Sequence, residues 1–381
     1  MAFSWKKVAN PPALDEVEVT VIGPGFGECI VVHTGNGRWL IVDSCRDPST
    51  KQPVALLYLR ALGIDPTASV DWIVATHWHA DHVGGIHELV STCSNAQFFC
   101  ASVLNEREFL RYAAQTRAVA GAKKGGEFLD TLRLLNSRNR QVKWTQGGRG
   151  LATRSSSNRD HSFRMDSLSP SDREFQLFLD QIVPKIAVKG TPHRAATARD
   201  PNRAAIVLSL KWGADAVLLG ADLVADPDPN LGWLAAVSEA ITLAVVRASL
   251  VKIPHHGSAG AHCPKMWTDL LTELPVSVIT PFRCGGSGWP PKPSDLARIS
   301  KLSSRTVLTA PCNSGRGRKP SSAIAAGLAQ SGIKMYTRRP KVGIARFRRY
   351  GQGRWNIQLF GQAKRVTPPK AQTPMRRRRQ R

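Results

Sequence analysis

Residues Thr76–Gly85 read Thr-His-Trp-His-Ala-Asp-His-Val-Gly-Gly and constrain the fold more than any other stretch. His77, His79, Asp81 and His82 follow an apolar run, Trp72-Ile73-Val74-Ala75, that reads as a buried strand. Gly84-Gly85 and the apolar stretch Ile86–Val90 read as the opening of a helix. Side chains on a loop at a strand end can converge on a metal, and imidazole with carboxylate suits zinc, manganese or iron. The residues therefore call for a strand–loop–helix unit with a metal at the strand's end.

Charge narrows the partners. Lys plus Arg number 53 against 28 for Asp plus Glu, a net +25 in 381 residues, with a sequence pI near 10.5. Such an excess favours a polyanion, and nucleic acid is the expected partner. A protein partner and the oligomeric state are left open. The seven cysteines include no C-x-x-C pair, which argues against a disulfide framework and a zinc ribbon. The opening Met-Ala-Phe-Ser-Trp-Lys-Lys lacks the apolar core of a signal peptide, and no apolar run is long enough to span a bilayer. No membrane association and a cytoplasmic location are expected.

Along the chain, Val17–Ile22, Cys29–His33 and Arg38–Asp43 read as strands, the last two joined by the turn Thr34-Gly35-Asn36-Gly37. Pro53–Leu62 reads as a helix and Ala96–Ala101 as a strand. Helices are expected over Glu106–Ala118, Glu127–Leu135 and from about Ser171 to Ile182. Thr145–Ser162 is rich in Gly, Ser and Arg without periodicity and reads as a flexible loop. Residues 102–200 read as a basic, partly helical insertion within one domain spanning 1–360. Strands resume at Ala204–Leu210, Ala216–Leu219, Leu250–Ile253, Val276–Thr280 and Thr306–Thr309. Leu296–Leu302 and Ser321–Gln330 read as helices, and Val342–Arg348 with Arg354–Phe360 as a hairpin. Residues 361–381 read as a disordered tail ending in Arg376-Arg377-Arg378-Arg379-Gln380-Arg381.

The stretch Thr76–Gly85 resembles the metal motif of the metallo-β-lactamase superfamily. The run from Val19 to Cys45, with Gly25-Phe26-Gly27-Glu28 at its turn, is similar to the opening of the ComEC-type branch, the DNA-uptake proteins of competent bacteria. Leu218-Leu219-Gly220-Ala221-Asp222 and Pro254-His255-His256-Gly257-Ser258 are similar to two later motifs of that branch. This chain departs from it at the turn, where Gly25-Phe26-Gly27-Glu28-Cys29 stands for the usual Gly-Gln-Gly-Asp-Ser, and at Cys45, Ala205 and Trp289, where the branch usually has glycine, serine and histidine.

The resemblance implies an α+β fold, the four-layer αββα sandwich, with a basic insertion and tail added. It also implies two divalent ions, Zn²⁺ or Mn²⁺. His77 and His79 would hold the first, Asp81, His82 and His255 the second, and Asp222 would bridge them. Asp81 would orient a hydroxide, with His256 or Ser258 assisting or giving a proton to the leaving group. Asp43 and Asn202 would support the ligands, Asp43 by orienting a histidine. A further histidine, usual in the lactamases, would have to be His161 or His193. The expected activity is metal-dependent phosphodiester cleavage of DNA or RNA. Lys123, Lys124, Arg138, Arg140 and Lys143, with the tail arginines Arg376, Arg377, Arg378 and Arg379, would meet the nucleic acid. The alternatives are a hydrolase of small esters, lactones or cyclic nucleotides, and a nucleic-acid-binding subunit with a vestigial site.

Overall fold

The computed structural model describes residues 3–102, 126–155, 162–182, 201–282, 289–312, 341–351 and 353–367. The helices expected over 106–118 and 321–330 lie outside these residues, as does the chain beyond 367. Strands β1 (Val17–Ile22), β2 (Cys29–Gly35), β3 (Arg38–Val42), β4 (Val70–Ala75), β5 (Gln97–Ala101) and β6 (Val142–Thr145) form one sheet with β14 (Gly343–Arg349) and β15 (Asn356–Gly361). Its order is β15-β14-β1-β2-β3-β4-β5-β6. The second sheet holds β7 (Arg149–Arg154), β8 (Phe163–Ser167), β9 (Leu208–Trp212), β10 (Asp215–Leu219), β11 (Ala248–Lys252), β12 (Leu271–Ile279), β13 (Arg305–Leu308) and β16 (Lys364–Arg365). It runs β16-β13-β12-β11-β10-β9-β8-β7.

Helices α1 (Val54–Ala61), α2 (Pro66–Ser69), α3 (Ala80–Val83), α4 (Ile86–Thr92), α5 (Gly126–Ser137), α6 (Asp172–Ile182), α7 (Gly232–Thr242) and α8 (Pro293–Lys301) lie between these strands in the chain. The period-2 alternation of a strand sorts its residues between two faces. Val217 and Leu219 of β10 join the core shared with β1, β2 and α1, whereas Ala216 and Leu218 pack with Trp233 and Ala236 of α7 and Ile299 of α8. The result is two sheets face to face with helices outside, the αββα arrangement. Among the described residues, no helix is long and apolar enough to cross a membrane.

The two sheets repeat one plan, although the sequence shows no repeat. In the first, β1, β2 and β3 pair antiparallel, and β3 to β6 are parallel. In the second, β8, β9 and β10 are antiparallel, and β10 to β13 are parallel. Corresponding strand ends therefore carry corresponding chemistry. Asp43 follows β3 as Asp222 follows β10, and His77–His82 follow β4 as His255-His256 follow β11.

Several expectations change. The stretch 102–200 supplies β6 at the edge of one sheet and β7 with β8 at the edge of the other. Part of the stretch expected as a flexible loop is β7, paired antiparallel with β8 from Arg149↔Ser167 to Arg154↔Phe163. An edge strand has one neighbour and needs no apolar alternation, so arginines and glycine suffice there. Beyond Gly361, Lys364–Arg365 still pair with β13. Helix α7 was not anticipated, yet Trp233, Ala236, Val237 and Ala240 are buried at i, i+3, i+4 and i+7. Ser171 caps α6, its Oγ accepting from the Glu174 N–H while the Glu174 carboxylate accepts from the Ser171 N–H.

A buried ionic network fastens β1 and β14 to α1. Glu18 Oε2 is 2.7 Å from Arg348 Nε, and Glu18 Oε1 accepts from the Tyr58 hydroxyl at 2.6 Å. Arg346 donates through Nε to the same hydroxyl at 2.8 Å and through Nη2 to the Val8 carbonyl. Glu18→Ala leaves the buried Arg346 without its counter-charge and Arg348 with only Glu16, 3.9 Å away, so a loss of about 3–5 kcal/mol is expected in denaturant unfolding. Replacing Glu18 and Arg348 together by methionine should recover part of that loss, because no unpaired charge then remains from this pair.

Candidate metal centre

The strand ends aim four buried side chains at one point. Asp43, at φ 59° just past β3, accepts the Thr76 N–H through Oδ1 at 2.7 Å and the Thr76 hydroxyl through Oδ2 at 2.8 Å. Its Oδ2 also lies 2.7 Å from His82 Nδ1. A carboxylate can only accept, so His82 carries its proton on Nδ1 and turns Nε2 inward. His256 is set the same way from the other sheet, because its Nδ1 donates to the Thr280 carbonyl at 2.8 Å. His256 Nε2 is then 3.4 Å from Asp81 Oδ2 and 3.3 Å from Asp222 Oδ2. His82 Nε2 is 3.6 Å from each of those same oxygens and has no hydrogen-bond partner among the described residues.

Donor atoms of Asp81, His82, Asp222 and His256 all lie within 4.8 Å of one another. Two bare imidazole nitrogens facing two carboxylate oxygens bring lone pairs against lone pairs, and only a proton or a cation relieves that. The separations of 3.3–3.6 Å are also near the edge of a tetrahedron whose arms are ~2.0–2.2 Å. The set fits a divalent cation. The second buried group, Glu28, Asp43 and His82, already holds a cation, since Lys252 Nζ lies 2.7 Å from Glu28 Oε1.

The electrostatics follow from this geometry. Burial would lower the pKa of His256, but Asp222 and then Asp81 raise it to about 9. His82 is raised well above its ordinary value in the same way, burial being overridden by Asp222 and Asp81. Burial works to raise Asp222, and His256 with His82 pull it well down instead. Asp81 is likewise lowered, against its burial, by His82 and His256. Lys252 is raised despite full burial, because Glu28 and Asp222 face it.

The remaining expected residues fall into place differently. His77 is buried with Nε2 3.0 Å from His79 Nδ1, and the pair lies beside the cluster, the His77 ring centroid being 4.1 Å from that of His82. Burial, then His82 and His79, lowers the His77 pKa well below its usual range. The structure places His256, not His255, in the four-residue group. His255 instead has Nδ1 3.1 Å from Ser258 Oγ and Nε2 3.3 Å from Asn202 Nδ2. His161, His193, Lys123, Lys124 and the four tail arginines lie outside the described residues. Arg138 and Arg140 donate to backbone carbonyls at Ser91, Val90 and Ala96, tying the segment after α5 to α4 and to the residue before β5. Lys143 is exposed on β6. An open cleft of about 720 Å³ lies here, lined by Leu129, Leu132, Arg140 and Trp144 among others, and shares no residue with the cluster.

Glu28, Lys252 and Thr280 were missed as parts of the site. Lys252 left a signal, being a lone charge in the apolar run Leu250-Val251-Lys252-Ile253 directly before Pro254-His255. Gly27 gives Glu28 its place. At φ +90° it is packed so that a Cβ would meet the Cys45 Cβ at 2.6 Å and the Asp81 carbonyl at 3.0 Å.

Folding raises the His256 pKa from 6.5 to about 9. Chelator-treated protein should therefore hold this stabilisation in full below pH 6.5 and lose it as pH rises through about 9. Its melting temperature should fall across that interval, and saturating divalent metal, by replacing the protons, should flatten the fall. Scanning calorimetry with and without metal measures both.

Residues 22–112 match the model of the metallo-β-lactamase superfamily. Among solved structures, the metallo-β-lactamase fold protein YhfI from Bacillus subtilis shares 13% identity, covering 77% of this chain and 95% of that one, with a TM-score of 0.38. MEM-A1, a subclass B3 metallo-β-lactamase from a soil metagenome library, shares 12% over 65% of this chain and 80% of its own, with a TM-score of 0.33. No curated protein matches the sequence. The histidine–aspartate turn lies inside the matched residues and its cluster is completed from the second sheet: the chain carries a metallo-β-lactamase superfamily domain, a fold that supports metal-dependent hydrolysis.

Proposed function

We propose that the protein is a metal-dependent phosphodiesterase that cleaves nucleic acid, nearest by motif to the ComEC-type branch it resembles. The observation that carries the hydrolase reading is the convergence of Asp81, His82, Asp222 and His256 with both imidazoles held Nε2-inward. The net charge of +25 turns that reading toward a polyanionic substrate.

Those four side chains would hold a divalent cation, zinc or manganese by their nitrogen and oxygen donors. Such an ion, when bound, lowers the pKa of water towards neutrality and polarises a phosphoryl oxygen. The chain's own residues do the rest. Asp43 and the Thr280 carbonyl keep the two imidazoles in one tautomer and one orientation. His77, kept neutral by its burial, and His79 offer nitrogens for a second ion. His255 is half-buried, with Nδ1 against Ser258 Oγ and Nε2 against Asn202 Nδ2. It is the group we assign to deliver a proton to the leaving oxygen, and His256 the ligand, reversing the roles expected of the two.

Asp81→Ala and Asp222→Ala should abolish hydrolysis of oligonucleotides with Mn²⁺, Mg²⁺ or Zn²⁺ while leaving circular dichroism unchanged. Asp43→Asn should lower metal affinity or activity roughly 10–100-fold, because it orients a ligand without holding the ion. His161→Ala and His193→Ala should be milder than His79→Ala. Metal analysis decides against the enzyme and for a vestigial site if purified chains hold no transition metal and bind none when it is added.

A second expectation concerns charge. A chain ending at Pro369 lacks Lys370 and five arginines, and no acidic residue is lost with them. It should bind nucleic acid more weakly and with a shallower salt dependence, each lost duplex phosphate contact removing about 0.9 from the slope. Titrations at several salt concentrations read it directly, and identical slopes would show that the tail does not touch the substrate.

A further inference from the structure

Three aromatic rings run from the cluster to solvent. The Phe282 ring centroid lies 5.0 Å from that of His256 at an interplanar angle of 31°. Phe26 is 5.6 Å from Phe282 on one side, and Trp289 is 5.2 Å away on another. Phe26 is 44% exposed and Trp289 49%, among the few large apolar side chains on the described surface. The backbone holds them there. Gly25 and Gly27, both at φ 90°, form the turn that carries Phe26, and the packing of Gly27 against Cys45 and Asp81 leaves that turn no room to sink. The Phe282 N–H donates to the Pro290 carbonyl at 3.1 Å, which fixes the segment bearing Trp289 beside Phe282.

We propose that Phe26, Phe282 and Trp289 form a stacking platform for an unpaired nucleobase next to the phosphodiester to be cleaved, so that the substrate is single-stranded nucleic acid. This rests on the nuclease reading above. Aromatic faces bind any base, because every base has a π-face, and a base inside a duplex is already stacked and paired. Phe282 lies against the His256 ring and carries Phe26 and Trp289 on its other sides, so a base stacked on this group lies beside the reacting centre. A small apolar ester could use the same rings, but it would draw nothing from a net charge of +25.

The test compares the full chain with Phe26→Ala, Trp289→Ala and Trp289→Phe. Each is measured on a single-stranded oligonucleotide, the same strand in a duplex, and an equally long chain of abasic sites. Metal content is measured for every variant and should equal that of the parent. The parent should favour the single strand over the duplex. Each alanine variant should lose roughly 5- to 100-fold in single-strand affinity, and Trp289→Phe should keep most of it. On the abasic chain, which has nothing to stack, the parent should bind about as weakly as the alanine variants. Undiminished single-strand affinity in both alanine variants overturns the platform and leaves the nuclease reading standing. So does an equal further loss on the abasic chain. A parent protein that cleaves no nucleic acid with any of the three metals overturns both.

Discussion

Lys252 and Glu28 face each other 2.7 Å apart where neither side chain is more than 1% exposed. Water solvates neither charge there, so each depends on the other and on the hydrogen bonds around the pair. Lys252 also donates to the Ala221 carbonyl at 2.9 Å and lies 3.7 Å from Asp222 Oδ1. Glu28 accepts from the Thr280 hydroxyl, and the Thr280 carbonyl in turn fixes His256. One ion pair thus joins the β1–β2 turn of the first sheet to β11 and to the end of β12 in the second. The seam on which the candidate ligands sit has a charged centre of its own, with Lys252 3.7 Å from Asp222 and Glu28 3.9 Å from His256 and 3.7 Å from His82.

The strand ends around this pair are conformationally expensive. Asp43, Ala221, His255 and His256 all have positive φ, between 43° and 59°, a region that side chains other than glycine seldom occupy. Each departure has a consequence. Ala221 turns its carbonyl to the Lys252 ammonium and to the His255 N–H. The two successive left-handed histidines send one imidazole into the cluster and the other to Asn202 and Ser258. Gly220 between them and β10 admits no side chain, since a Cβ would lie 2.9 Å from the Lys252 carbonyl. Strain at a site persists only where surrounding packing over-determines it, and here two sheets do so.

Charge is organised at two ranges. At contact range, buried carboxylates outnumber buried cations around the cluster, which is what a metal or a pair of protons requires. Over the whole chain the balance is reversed, at +25. A negative hollow that attracts cations, on a basic molecule that attracts polyanions, separates the ligand for the ion from the ligand for the protein. The aromatic rim formed by Phe26, Phe282 and Trp289 lies between those two scales, contacting His256 on one side and solvent on the other.

The sequence by itself determined the elements whose signal is local. β1 runs over Val17–Ile22 as its pattern indicates, β4 and α4 flank the motif as expected, and the acid and histidine positions at the ends of β3, β4, β10 and β11 were legible because strand ends are marked by a change from apolar to polar residues. Tertiary structure decided what depends on distant partners. Arg149–Arg154 became a strand because β8 offered an edge, and α7 became a helix against a sheet face whose strands lie on both sides of it in the chain. Nothing near His255 and His256 distinguishes them in the sequence. The Thr280 carbonyl, 24 residues away, makes His256 the one that faces Asp81 and Asp222. Glu28 and Lys252 read singly as a turn acid and a stray lysine, because a buried ion pair is a property of two residues brought together and is written in neither.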